Sequence, residues 1–75
     1  MADVPALLAF LATHTPKNAV VRNLGSEVEV AWLTGATVIV IPATGTVNIA
    51  ARSGDPAYKA AVAFAGVAQR FLVHA

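Results

Sequence analysis

Between Ala19 and Ala50 the chain falls into four short apolar runs separated by turn chemistry, and this punctuation leaves room for little except a small sheet. Ala19–Asn23 is followed by Leu24-Gly25-Ser26, residues 27–32 by Thr34-Gly35, and Thr37–Ile41 by Pro42-Ala43-Thr44-Gly45; Thr46–Ala50 completes the set. Runs of this length suit strands rather than helices. The runs read as four antiparallel strands, and with no long-range pairing signal their order in the sheet is left open.

The second run has the clearest pattern. Val28, Val30 and Trp32 alternate with Glu27, Glu29 and Ala31, so one face is apolar and the other polar or small. The third, Thr37-Val38-Ile39-Val40-Ile41, is β-branched and apolar on both sides, as a central strand would be. With Thr34-Gly35 as the turn, Ile39 and Ile41 are placed inward and Val38 and Val40 outward. In the fourth run Val47 and Ile49 face inward and Asn48 outward.

Helical signals flank the strands. Asp3-Val4-Pro5 supplies an N-cap and a first-turn proline, Ala and Leu continue the element, and His14-Thr15-Pro16 stops it, which predicts a helix over 4–13. Asp55-Pro56 starts a second helix running to about residue 73, bulky at Val62, Phe64, Val67, Phe71 and Leu72 and smooth elsewhere with Ala and Gly. Gly66 costs about 1 kcal/mol relative to Ala within a helix, which a close backbone approach would offset. The expected fold is a single α+β domain spanning 1–75. It is two-layered, with a four-stranded antiparallel sheet and the N-terminal and C-terminal helices packed on one face, in the order α-β-β-β-β-α.

Composition says what this domain must do with its surface. Hydrophobic residues make up 57% of the 75 positions and charged residues 12%, with a net charge of +1. Seventeen residues are alanine, yet 26 are Val, Ile, Leu, Met or aromatic. A domain so small buries only about 60% of the surface its unfolded chain exposes. Apolar area is therefore left outside for a partner, and a homo-oligomer, a dimer first, is expected. The outward sheet face, with Val20, Arg22, Glu29, Ala31, Leu33, Val38, Val40, Asn48 and Ala50, is the candidate interface, with Tyr58 at the start of the second helix as an anchor.

No catalytic constellation emerges. His14 and His74 fall at expected helix C-termini, a structural position for a ring that can carry positive charge. Glu27 and Glu29 share a strand face as guards against edge pairing. Ser26 and Ser53 lie in turns. No cysteine is present, which removes disulfides and cysteine zinc sites, and the histidines lack metal-ligand spacing. The chain is expected to be non-enzymatic, with no cofactor and no metal.

Nucleic acid is the alternative partner, through Lys17, Arg22, Arg52, Lys59 and Arg70. The helix–sheet–helix order is similar in outline to the double-stranded-RNA-binding domain. That family carries a lysine cluster at the start of its second helix, where this chain has Asp55-Pro56-Ala57-Tyr58-Lys59, and the family is not assigned. Five cations fall short of the 6–10 phosphate contacts of a strong duplex binder unless a dimer doubles them.

A membrane-spanning helix needs about 20 apolar residues. The uncharged runs 4–16 and 60–69 are too short, and 30–51 is broken by turns. With neither a span nor an export signal, the expected location is cytoplasmic. The chain reads as a complete small product. The expected role is an accessory or inhibitor-type protein, of the kind phages and plasmids encode, that binds and occludes a partner protein.

Overall fold

The computed structural model describes residues 3–74, with the side chain of His74 outside that description. The elements are α1 (Val4–His14), β1 (Ala19–Asn23), β2 (Val28–Trp32), β3 (Thr37–Ile41), β4 (Thr46–Ala50) and α2 (Tyr58–His74). The strands form one antiparallel sheet in the order β1-β2-β3-β4, and the helices meet the same core on one of its faces. This is the α+β, α-β-β-β-β-α arrangement expected from the sequence.

Each end of α1 is set locally. The Asp3 carboxylate accepts from the Ala6 amide at 2.9 Å, and its carbonyl accepts from Leu7. At the other end Thr15 is extended before Pro16, and its hydroxyl donates to the Leu11 carbonyl. Leu7 and Leu11, one turn apart, are the buried pair that ties α1 to the sheet. Phe10 stacks on Phe71 of α2 with ring centroids 4.4 Å apart, joining the two helices.

The register corrects one expectation. Val38 and Val40 are fully buried, whereas Ile39 and Ile41 face away from the helices. Val28 pairs with Val40 and Val30 with Val38, and directly opposed residues share a face, so the four valines form one inward block. The cause is the β2–β3 connection. A two-residue turn at Thr34-Gly35 would pair Leu33 with Ala36 and send Val38 outward. The turn actually spans three residues. Gly35 donates to the Trp32 carbonyl at 3.0 Å, and Trp32 donates to the Ala36 carbonyl at 2.8 Å. Gly35 has φ +107°, the left-handed position that a three-residue hairpin loop requires. The shift of one residue inverts every side chain of β3.

α2 begins at Tyr58, two residues later than the expected first position at Pro56. Asp55 does serve the turn, its side chain accepting from the Ala57 amide at 2.7 Å. The Tyr58 amide returns to the Asp55 carbonyl, a spacing tighter than the helical one, and α spacing starts with Ala61 onto Ala57. Ala57, Ala61, Ala65 and Ala68 then lay a smooth buried stripe over β3 and β4. Phe64 meets Trp32 edge-on at 5.9 Å. Gly66 lies outside this contact: a Cβ there would meet nothing within 4 Å, so close packing within the chain does not explain the glycine.

Candidate functional site

With both helices on one side, the other face of the sheet is bare. Its rows follow from the pairing. One row reads Arg22, Glu29, Ile39, Asn48; the next reads Val20, Ala31, Thr37, Ala50; Ile41 and Thr46 oppose each other beyond them. Five of these ten residues are apolar. Arg22 donates to Glu29 at 3.3 Å across the strands. The arginine side chain is 64% exposed, so the pair orients charge more than it stabilises.

Val20, Arg22, Glu29, Ala31 and Asn48 therefore lie on the open face as expected. Val38 and Val40 do not; they are core residues. Leu33 does not lie on the sheet either. It is at the tip of the β2–β3 turn and is 80% exposed, the most exposed large apolar residue described. Tyr58 opens α2 and is 37% exposed. Ile39, Ile41, Thr37 and Thr46 are the members of the open face that the sequence reading missed. The signal that locates them is the glycine third in the loop between Trp32 and Ala36, which fixes the loop length.

Beside Leu33, a cleft of about 210 Å³ opens between the end of the α1–β1 link and the start of α2, lined by Lys17, Asn18, Trp32, Leu33, Thr34, Pro56, Ala57 and Ala60. Its wall is braced by Thr34, whose hydroxyl donates to the Asp55 carboxylate at 2.6 Å. That hydrogen bond and the one from the Ala57 amide hold the Asp55 carboxyl below the ordinary aspartate range. The indole nitrogen of Trp32 is buried without an acceptor among the described residues.

The polar groups considered for chemistry stay apart. The His14 ring stacks on Phe10 at 4.2 Å, and its Nδ1 lies 2.8 Å from the Thr13 hydroxyl and 2.9 Å from the Phe10 carbonyl. Among the described residues no three of His, Asp or Glu gather as a metal site, and no helix is long and apolar enough to cross a membrane.

The five cations do not share one surface. Arg22 is on the open face, paired with Glu29. Lys17 lines the cleft beside Trp32, and Arg52 borders a second hollow with Asp55 that meets the first at Thr34. Lys59 and Arg70 are eleven residues apart on α2, about 16 Å along the axis. Arg70 lies instead beside His14, Val67 and Phe71.

Comparison of this chain with protein-family models, with curated proteins and with solved structures finds no match to any of them.

Proposed function

We propose that this protein is a non-enzymatic interaction module that self-associates and acts by binding and covering a surface of another protein. The observation that carries this reading is the open sheet face. It spans four strands, with Ile39 in a row between Glu29 and Asn48 and with Val20, Ala31 and Ile41 in the rows on either side. Non-obligate protein interfaces are, taken whole, mixed apolar and polar surfaces of this kind. On that face Val20 is 53% exposed. With Arg22 on the open face and Arg70 beside Phe71, the five cations offer no single basic surface, which gives the nucleic-acid alternative less support.

Affinity capture from an extract, run in parallel with the wild-type chain and Ile39→Glu, tests the assignment. The expected result is one defined protein retained at high salt by the wild type and lost with the variant. Retention by both would remove the open face from the reading. A gel shift with duplex nucleic acid at low salt, abolished at high salt, would replace the protein partner with a nucleic acid.

A further inference from the structure

We propose that two copies of this chain dimerise by pairing their β4 strands edge to edge, antiparallel about a two-fold axis at Asn48. This deepens the self-association in the reading above and rests on it.

The two edges of the sheet differ. β1 carries Arg22 and is entered through Pro16, Lys17 and a left-handed Asn18 with φ 63°. Charge and backbone irregularity are the usual defences of an edge strand. β4 has neither. Thr46-Val47-Asn48-Ile49-Ala50 holds no charge and no proline, and its five residues pair with β3 without a bulge. Among the described residues its backbone makes no hydrogen bond outside that ladder. A regular free edge offers alternating donors and acceptors, and their natural complement is another extended strand.

The sequence of β4 fits itself. Antiparallel pairing about Asn48 sets Val47 opposite Ile49 of the second copy on the helix side, and Thr46 opposite Ala50 on the open side. Asn48 meets Asn48, an amide that both donates and accepts. No like charges are brought together. The exposed apolar bulk lies along the same border. Ile49 faces the helix layer, opposite buried Val38, yet is 43% exposed, so α2 does not reach over the edge. Gln69 of α2 donates to the Gly45 carbonyl just before β4, which turns that flank of the helix toward the edge. Val62 and Val73, seven residues before Gln69 and four after, share the flank and are 43% and 67% exposed. The opposite flank, with Val67 and Phe71, faces α1. The second copy would cover both layers of the border and leave an eight-stranded sheet with one continuous open face.

The absence of native cysteine makes the test direct. The wild-type mass in solution should be twice 7.7 kDa. Residues directly opposed across an antiparallel pair have Cα atoms about 4.5–5.5 Å apart, within disulfide reach. Asn48→Cys should therefore oxidise to a covalent dimer, while Arg22→Cys and Ile39→Cys remain single chains under the same mild oxidant. Ile49→Lys should halve the wild-type mass with an unchanged circular dichroism spectrum. A wild-type dimer that cross-links through Ile39→Cys or Arg22→Cys instead would overturn the β4 interface and leave self-association standing. A wild-type monomer at every concentration tested would overturn both.

Discussion

Val40 has no solvent exposure, while Ile39, one residue earlier, is half-buried on the bare side of the sheet. The two positions should respond oppositely to charge. A carboxylate at Val40 would sit among Val28 and Val47, where an uncompensated polar group costs several kcal/mol. A chain of this length has only roughly 4–11 kcal/mol of stability in total. Val40→Glu is expected to abolish the cooperative thermal transition, and Ile39→Glu to leave its midpoint within a few degrees. Asp55 offers a second residue-level test. Its carboxyl titrates below the ordinary range because Thr34 and Ala57 donate to the charged form. A depressed folded-state pKa means that the associated stability is fully present above the unfolded-state value, near 3.9, and is lost as pH falls through the folded-state value. The urea midpoint of Asp55→Asn should therefore fall less steeply than that of the wild type as the solution is acidified below about pH 4.

At the scale of elements, the turn at Leu33-Thr34-Gly35 sets the phase of half the sheet. An L side chain at φ +107° is strained, so Gly35→Ala should cost about 1–3 kcal/mol in denaturant unfolding even though its Cβ would meet no neighbour. The helices answer to simpler rules. Asp3→Ala removes the cap of α1 and should cost about 1 kcal/mol. Gly66→Ala, with open space around its Cβ, should raise stability by about 1 kcal/mol. A loss there would show that the missing side chain leaves room for a second molecule.

For the whole molecule, the decisive property is that two helices cover only one side of a four-stranded sheet. Folding buries two leucines and four valines completely but leaves an open face and an undefended edge. An interface built from strand pairing and valine, isoleucine and tyrosine contacts is little screened by ions, whereas one held by surface charge pairs weakens as salt rises. The mass measured by light scattering is expected to stay the same from low to high salt.

The sequence by itself determined the elements. Caps, prolines and turn glycines act over three or four residues, so α1, β1, β3 and β4 were legible to within one residue, as was the period-two face of β2. The start of α2 was read less well, because Asp55 is shared with Thr34, twenty-one residues away. The phase of β3 was not legible at all from its own residues. Valine and isoleucine are equally at home on either face, and only the cross-strand register to Val28 and Val30 selects between them. The same holds for the candidate interface: Arg22, Glu29 and Asn48 declare themselves by polarity, while Ile39 and Val40 could be told apart only once the hairpin had closed. Strand order, the bare face and the free edge of β4 are likewise tertiary facts, since they depend on which surface the helices leave uncovered.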